Sequence, residues 1–307
     1  MESWGKMSAS LNETKYLMKK YKIKANKKLG QNFLVDDNVL NDIVSGAKIE
    51  KNDLVIEIGP GLGTLTNLLL EKARKVICIE LDKKMIKILK ERFIAYNNIE
   101  IINQDILKID LDNLIQEQKN KDNEIKNVKI VANLPYYITT PIIMKLIENN
   151  LDIKSITVMI QKEVAERLVA LPGTKNAGAI TYTVYYYCKT EKIREVENTC
   201  FIPAPEVTSE VINLNLRDKA VVEVENKKIF FNIIKSAFMQ RRKTVVNALT
   251  NVGVFKNKEE GFEYMKKIGV REDARAESLS IEDFANLTNL YINNLLKKGG
   301  SDIWIKF

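Results

Sequence analysis

The sequence predicts an α/β domain built on a mixed sheet, followed by a smaller domain made only of helices. Between residues 53 and 169, short apolar and β-branched runs alternate with segments of helical periodicity, which is typical of parallel strands joined by helices. Two later apolar runs, 179–188 and 209–216, predict an antiparallel pair that makes the sheet mixed. Beyond residue 218 only helical spacing remains, with Gly253 and Gly269 as breakers.

The predicted elements follow one another in a regular order. Strands cover 53–58, 75–80, 99–103, 129–133 and 155–160, and the antiparallel pair completes a sheet of seven. Helices cover 14–21, 37–47, 64–73, 83–96, 141 onward, 162–169, 228–250, 259–268 and 281–296. Residues 111–123 predict a polar connection with some helical character, and residues 1–13 predict disorder.

Capping residues support two of these helices. Asp36 or Asp37 can cap the helix that runs to about Ala47. Thr140 can cap another helix, which would have Pro141 in its first position.

Charge is distributed unevenly along the chain. The formal net charge is +8, and residues 1–28 contain eight lysines against two acidic residues. Residues 219–307 contain 16 basic and 11 acidic residues, so both ends are basic. We divide the chain into a basic, partly disordered extension (1–27), an α/β domain (28–218) and a helical domain (219–307). Basic ends indicate a polyanionic partner such as nucleic acid, although a solvated surface without a partner is the alternative.

Composition excludes several classes of protein. The chain has no histidine, which rules out Ser-His-Asp catalysis and most zinc sites. Its cysteines, Cys78, Cys188 and Cys200, have no metal-ligand spacing, so we expect no metal and no disulfide framework. No apolar run reaches the roughly 18–20 residues of a membrane span, and the N-terminus lacks an apolar signal region. We therefore expect a cytoplasmic protein without a membrane partner.

A glycine turn follows the first predicted strand in DLVIEIGPGLGT. Gly59, Gly61 and Gly63 allow the backbone to approach a ligand closely and to direct its N–H groups inward. Their G-x-G-x-G spacing differs from the dinucleotide pattern G-x-G-x-x-G and disfavours NAD. A tight turn without a ligand is the alternative.

Two carboxylates follow the next two strands. Glu80 lies 21 residues after Gly59, a spacing that suits hydrogen bonds from a ribose diol. Asp105 can accept a hydrogen bond from an adenine amino group, and Ile106 can contact the edge of the ring. Because the ends of parallel strands meet at one edge of a sheet, these residues predict a pocket shaped for adenosine.

The segment NLPYYI follows the fourth predicted strand. Asn133 presents a side-chain carbonyl, and Pro135 restricts Leu134 to an extended conformation that can direct its own carbonyl into the cleft. Tyr136 offers a ring for stacking a base. Two acceptors around one amine favour a pyramidal nitrogen whose lone pair can attack a methyl donor without a histidine base. A turn with buried aromatic residues is the alternative.

A second aromatic residue stands further along the chain, in FIPAPEV. Phe201 can form the other face of a base sandwich, or it can be a core or hinge residue.

Six motifs, KKLGQNFL, EIGPGLGTLT, NLPYYI, QKEVAERL, FIPAPEV and RRKTVVNAL, occur in the order typical of KsgA/RsmA-type small-subunit rRNA adenine N6,N6-dimethyltransferases. The resemblance runs from about Lys15 to about Asn289. It implies a class I S-adenosylmethionine-dependent methyltransferase fold with S-adenosyl-L-methionine as cofactor.

The resemblance also implies roles for individual residues. Gln31, Asn32 and Leu34 would line the methionine end of the cofactor, and Asn133 would lie against it. Gly59, Gly61 and Gly63 would cradle it, Glu80 would hold its ribose, and Asp105 and Ile106 its adenine. Asn133, Leu134, Pro135 and Tyr136 would hold the target amine, with Phe201 against the base.

The implied substrate is 16S rRNA in the 30S subunit or its precursor. Two adjacent adenosines in a hairpin loop near its 3′ end would each be methylated twice, with a role in subunit assembly. Arg241, Arg242, Lys243, Lys27 and Lys28 are candidates for RNA contacts. We expect a monomer. The alternatives are an Erm-like 23S rRNA methyltransferase, a mainly non-catalytic assembly factor and, less favoured, an NAD-dependent oxidoreductase.

Overall fold

The computed structural model describes residues 9–26 and 29–297, which form two compact units. The first, the sheet unit, contains the chain up to Ala165 together with Thr190–Leu216. The second, the helical unit, contains Glu166–Lys189 and the chain from Arg217 onward. The predicted domain boundary at residue 218 lies close to the division between Leu216 and Arg217. The sequence did not predict that the segment 166–189 also belongs to the helical unit.

The described elements alternate as the sequence predicts over most of the first unit. The strands are β1 (Phe33–Leu34), β2 (Asp53–Ile58), β3 (Lys75–Glu80), β4 (Ile99–Asn103), β5 (Asn127–Asn133), β6 (Ser155–Gln161), β7 (Cys188–Val196), β8 (Phe201–Ile202) and β9 (Ser209–Leu216). The helices are α1 (Ala9–Lys20), α2 (Asp37–Gly46), α3 (Thr64–Lys72), α4 (Lys83–Arg92), α5 (Leu111–Lys121), α6 (Thr139–Glu148), α7 (Lys162–Val169), α8 (Ala179–Tyr187), α9 (Lys227–Met239), α10 (Val245–Asn251), α11 (Lys258–Lys267) and α12 (Ile281–Lys297).

The sheet has seven strands in the order β4-β3-β2-β5-β6-β9-β7. Strands β4 to β6 are parallel, and β9 is antiparallel to β6, so the predicted mixed sheet is confirmed. From β2 the chain proceeds outward to β3 and β4 and then returns to β5 on the other side of β2. The strand order therefore reverses between β2 and β5, the place where open α/β sheets form a crevice.

Side chains of α2 and α3 cover one face of this sheet. Val55, Val76 and Val131 point from neighbouring strands into a core that includes Leu40 and Leu69, and all five are buried. Asp36 caps α2 as expected, because its carboxylate accepts the Val39 N–H at 3.0 Å. This packing holds the strand ends that carry the candidate site.

Of the predicted strand 179–188, residues 179–187 form helix α8, and only Cys188 belongs to a strand. The run AITYTVYYY is rich in β-branched and aromatic residues, but Tyr182, Val184 and Tyr186 are all buried, and the Tyr182 ring packs against Phe238 and Phe284. Packing in the core of the helical unit therefore overrides the local β-propensity. The seventh strand is β7, whose sequence CKTEKIREV carries charged residues typical of a sheet edge.

The N-terminal helix begins earlier than predicted. Residues 9–13 belong to α1, whose first N–H groups donate to the Asp37 carboxylate from Ala9 at 2.8 Å and from Ser10 at 3.1 Å. This cap is distant in sequence, so local periodicity did not indicate it. The predicted disorder of residues 1–8 lies outside the described residues.

Two other helix boundaries differ from the prediction. Helix α6 begins at Thr139, whose hydroxyl donates to the Pro135 carbonyl at 3.1 Å, and Pro141 is its third residue. The predicted helix 228–250 is interrupted between Met239 and Val245, because Thr244 caps a separate helix α10 by accepting the Asn247 N–H. Of the helices in residues 9–26 and 29–297, none combines the length and the apolar character needed to cross a bilayer.

The Tyr182 hydroxyl connects α8 to the rest of the helical unit. It donates to the Leu279 carbonyl at 2.5 Å, lies 3.1 Å from the Ala276 carbonyl, and is within 3.3 Å of the Gly173 N–H.

We expect Tyr182→Phe to destabilise the helical unit by about 1–3 kcal/mol, because it leaves buried backbone groups without their partner. Native-state hydrogen exchange in α8 measures this loss. Tyr185→Phe, on the same helix, is the control and should change exchange by less than about 0.5 kcal/mol; equal effects would contradict the role of the hydroxyl.

Candidate active site

A cavity lies at the carboxyl edge of β2, β3, β4 and β5 within the sheet unit. The register places its principal parts side by side, since Ile58 pairs with Ala132 and also with Ile79. The residues that follow these pairs are Gly59, Asn133 and Glu80, and all three line the cavity. Its lining also includes Leu29, Gly30, Gln31, Asn32, Leu34, Glu57, Gly61, Leu81, Gln104, Asp105, Ile106, Leu134, Pro135, Tyr136 and Tyr137.

The glycines of the turn serve different purposes. All have positive φ, at +68° for Gly59, +58° for Gly61 and +81° for Gly63, a region that favours glycine. A Cβ on Gly59 would meet no atom within 4 Å, so this backbone is open to a ligand. A Cβ on Gly63 would lie 2.7 Å from the Phe93 ring, and Gly63 does not line the cavity. The third glycine therefore permits close packing of the turn on α4.

Glu80 is 7% exposed, and backbone groups orient its carboxylate. The carboxylate accepts the Gly61 N–H at 3.1 Å and the Asp82 N–H at 2.8 Å. Burial raises the pKa of Glu80, and the hydrogen bonds from Asp82 and Gly61 oppose that rise. The side chain predicted for a ribose is thus fixed at the strand end by the backbone of Asp82 and by the glycine turn.

Asp105 and Ile106 line the same cavity after β4. One Asp105 carboxylate oxygen accepts the Leu107 N–H at 2.9 Å, and Ile106 is 6% exposed. The structure brings together an acceptor and an apolar surface, the pair that the sequence predicted for an adenine.

Asn133 lines the cavity at the end of β5 and is anchored by its own amide. Its Nδ2 donates to the Asn32 carbonyl at 3.1 Å, which leaves Oδ1 as the acceptor of that side chain. The Leu134 N–H donates to the backbone carbonyl of Met159 at 3.1 Å, and Pro135 has φ −59° and ψ 132°. The segment is extended at Pro135, and its first residues are tied to the sheet.

Tyr136 stands half-buried in the cavity wall. Its hydroxyl lies 2.7 Å from the Ser209 Oγ, and burial raises the pKa of the phenol. The ring is therefore held at its polar end, as a rigid stacking surface requires.

Gln31, Asn32 and Leu34 approach the cavity from the segment before α2. Gln31 donates to Asp82 at 3.0 Å and accepts the Asn26 N–H at 2.9 Å, so protein contacts fix this side chain. Leu34 is buried, and its backbone pairs with Phe201.

The structure does not bring Phe201 to the cavity. The side chain is 4% exposed and belongs to the core that includes Leu34 and Val39, which corresponds to the core alternative considered for it. A contact between this ring and a base would require the ring to leave the core.

The candidate RNA-binding residues of the helical unit are exposed. Arg241, Arg242 and Lys243 lie in the turn between α9 and α10, where the Lys243 N–H donates to the Gln240 carbonyl. The predicted helix 228–250 included these three residues, but they lie between two helices. Lys27 and Lys28 lie outside the described residues.

Glu57 is a cavity residue to which the sequence assigned no role. It is 2% exposed and accepts a hydrogen bond from Thr66 Oγ1 at 2.6 Å, with Cys78 Sγ at 3.6 Å. Burial raises the pKa of Glu57 to about 7, although the Thr66 and Cys78 contacts oppose the rise. The available signal was a single carboxylate inside the apolar strand DLVIEI.

Comparison with known proteins supports this arrangement. The family model described as ribosomal RNA adenine dimethylase matches residues 22–293. The ribosomal RNA small subunit methyltransferase A of Clostridioides difficile (strain 630) is 48% identical over 282 residues, covering 92% of this chain and 96% of that protein. The protein of the same name from Clostridium botulinum (strain Loch Maree / Type A3) is 50% identical over 277 residues, covering 90% and 97%.

Solved structures agree with the sequence relatives. A dimethyladenosine transferase from Plasmodium falciparum superposes with a TM-score of 0.70 at 29% identity, covering 87% of this chain and 98% of that one. The 23S rRNA methyltransferase ErmE, at 23% identity and a TM-score of 0.64, shares the fold.

The fold is that of class I S-adenosylmethionine-dependent methyltransferases, as the sequence predicted. A cavity at the strand-order reversal and the helical C-terminal part complete this assignment. The chain belongs to the ribosomal RNA adenine dimethylase family, whose members are rRNA-modifying methyltransferases.

The buried Glu57 predicts a pH-dependent stability. The native pKa of about 7 exceeds the ordinary value of 4.5, so between these pH values the native state retains a proton that the unfolded state loses. Stability should therefore fall as pH rises through this window, by about 3 kcal/mol in total. Glu57→Gln cannot titrate and should lose this part of the slope.

Denaturant unfolding of both proteins between pH 4.5 and 8 measures the difference. Because all other groups titrate in both proteins, the difference between the two curves isolates Glu57. Parallel curves would show that the carboxyl titrates normally.

Proposed function

We propose that this protein transfers methyl groups from S-adenosyl-L-methionine to N6 of two adjacent adenosines in a hairpin loop near the 3′ end of 16S rRNA. Each adenosine would receive two methyl groups, with a role in small-subunit biogenesis. One observation carries the proposal: Gly59 and Asn133 end neighbouring strands and line one cavity. The cofactor surface and the amine-holding surface are therefore adjacent.

The residues of the cavity fit the proposed cofactor. Open space at Gly59, an oriented carboxylate at Glu80 and the Asp105–Ile106 pair match the phosphate-free, adenosine-bearing shape of S-adenosylmethionine. When bound, this cofactor supplies an electrophilic methyl group. Gln31, Asn32 and Leu34 would hold its methionine end, Asn133 would lie against it, and Gly59 and Gly61 would receive its centre. Gly63 would act by seating the turn on Phe93.

Asn133 and Leu134 would hold the target amine. The Asn133 amide nitrogen is committed to Asn32, so its oxygen can accept one N–H of the amine. The Leu134 carbonyl would accept the other, and Tyr136 would stack on the base. These contacts turn the nitrogen lone pair away from the ring. After methylation the nitrogen is cationic, and it can release its proton to water without a histidine.

Phe201 remains a prediction as the opposite face of the base, and its burial gives that role no support. Tyr137 is exposed and lines the same cavity, which makes it another aromatic candidate for contact with the base.

RNA contacts would come in part from the helical unit. Arg241, Arg242 and Lys243 present three positive charges on an exposed turn, which suits recognition of folded RNA through its phosphates. The names of the bacterial relatives refer to the ribosomal small subunit, which favours 16S rRNA over the 23S rRNA of ErmE. Action on ribosomal RNA implies action in the cytoplasm.

A mainly non-catalytic assembly factor is the second candidate. The anchored Asn133 and the extended Pro135 favour catalysis, because binding alone would not require an oriented acceptor.

The decisive assay incubates the protein and S-adenosylmethionine with 30S subunits lacking the modification, followed by mass spectrometry of nuclease-digested rRNA. Dimethyladenosine in 16S rRNA supports the proposal. Modification only of 50S subunits, assayed in parallel, would support Erm-like activity, and no modification would support the assembly factor.

Asn133→Ala should keep the fold and reduce methyl transfer by at least about 100-fold, because the amine loses one of its acceptors. Transfer to unmodified 30S subunits measures the change. Asn98→Ala is the matched control, since Asn98 also donates its amide to a backbone carbonyl, that of Leu70 at 3.1 Å, but lies outside the cavity. Near-normal turnover by Asn133→Ala would overturn the amine-holding role.

Arg241→Glu combined with Arg242→Glu should weaken binding to 30S subunits and flatten its salt dependence, because phosphate contacts release counterions. A filter-binding titration over a range of salt concentrations measures both effects. Lys266→Glu with Lys267→Glu makes the same charge change on α11 of the same unit and serves as the control. Equal losses in the two double variants would indicate only a net-charge effect.

A further inference from the structure

Arg92 lies outside the cavity but touches the glycine turn. Its Nη1 donates to the Leu62 carbonyl at 2.6 Å, and its Nη2 forms an ion pair with Glu13 Oε1 at 2.6 Å. The Arg92 side chain is 11% exposed, and Leu62 is buried between Gly61 and Gly63. A single guanidinium therefore joins the turn to α1.

The turn needs such a partner. Three of its residues have positive φ and its carbonyls lie outside the regular sheet, so a buried carbonyl such as that of Leu62 must find a donor elsewhere. The guanidinium is a planar fork that can serve two acceptors at once in fixed directions. It also lies over the Phe93 ring at 5.2 Å, the same ring against which Gly63 packs.

Helix α1 is fixed independently of Arg92. Asp37 caps its first turn, and Leu17 joins Phe33, Leu62, Met85 and Ile88 in a buried cluster. A second ion pair, Lys20–Glu91 at 2.9 Å, also joins α1 to α4 but does not involve the turn. The Glu13 carboxylate is therefore carried by a well-packed helix, although this helix supplies no residue to the cavity lining.

We infer that Arg92, held by Glu13 of α1, is a positioning residue that fixes the glycine turn for cofactor binding. The inference rests on the proposed function, since it concerns the same cofactor. Without Arg92 the Leu62 carbonyl loses a charge-assisted hydrogen bond, and the turn can leave the conformation in which Gly59 and Gly61 face the cavity. Arg92 itself does not line the cavity, and it acts on the site through Leu62, a lining residue whose carbonyl accepts its hydrogen bond. It should therefore affect cofactor affinity and not the chemical step.

The experiment measures binding of S-adenosylhomocysteine, the demethylated form of the cofactor, by titration calorimetry. Arg92→Met should weaken binding by about tenfold, the ratio expected from the loss of one hydrogen bond to a charged group. Arg92→Lys keeps the charge but cannot serve both acceptors in the same geometry, so we expect partial rescue. In methyl transfer, both variants should raise KM for S-adenosylmethionine and leave kcat near the wild-type value.

Glu13→Ala and Glu91→Ala form a matched pair. Each removes the carboxylate of one ion pair between α1 and α4, but only Glu13 restrains the arginine that reaches the turn. Glu13→Ala should weaken binding a few-fold and speed hydrogen exchange of the Gly63 amide, which donates to Pro60 at 2.9 Å. Glu91→Ala should leave both unchanged. These variants keep the inference testable if Arg92→Met does not fold.

The outcomes separate this inference from the proposed function. Wild-type protein that does not bind S-adenosylhomocysteine would overturn the proposed cofactor and the inference together. If the wild-type protein binds S-adenosylhomocysteine and Arg92→Met binds it with the same affinity, the inference alone is overturned. Unchanged affinity in both Glu13→Ala and Glu91→Ala would have the same consequence. A fall in kcat without a change in affinity would also contradict it.

Discussion

The reversal of strand order between β2 and β5 is the constraint on which the site depends. The chain leaves β2, builds the sheet outward and returns to β5 on the other side, so two segments about 70 residues apart in sequence end as neighbours. Ile58 opposite Ala132 fixes the register, and a shift of one residue would separate Gly59 from Asn133. The chemistry of the site is therefore a consequence of topology as much as of the residues themselves.

Neighbouring side chains determine the conformation of the glycine turn. Glu80 accepts the Gly61 N–H, Arg92 donates to the Leu62 carbonyl, and Glu57 accepts the Thr66 hydroxyl across the two ends of the turn. Both carboxylates, Glu80 and Glu57, have raised pKa values because they are buried, and the charge of Arg92 opposes the rise at Glu57. The glycines allow an unusual backbone, and buried polar groups select one conformation of it.

The sequence predicted the parts of the fold that have a periodic or spacing signal. The alternation of strands and helices, the Asp36 cap and the strand-end positions of Glu80 and Asp105 follow from local pattern and from the geometry of parallel sheets. Helix α8 could not be predicted in this way, because its alternating aromatic and β-branched residues match a strand and only the core around Tyr182 favours a helix. Strand β7 was missed because its sequence is polar.

The site shows the same division between local and tertiary information. The cavity positions of Asn133, Pro135 and Tyr136 followed from one motif at a strand end. The burial of Phe201, the packing role of Gly63 and the contacts of Arg92 depend on residues distant in sequence, such as Leu34, Phe93 and Glu13. A pattern within a single sequence contains no signal for these contacts.

Each unit combines segments that are distant in sequence, and this has a consequence for synthesis. Helix α8 emerges from the ribosome before β9, and well before the helices α9 and α12 whose side chains enclose Tyr182. The sheet likewise lacks β9, the strand that lies between β6 and β7, until residue 216 has been translated. The core around Tyr182 therefore cannot be complete before α12 has been translated, and until then the aromatic run AITYTVYYY lacks part of the side chains that bury it.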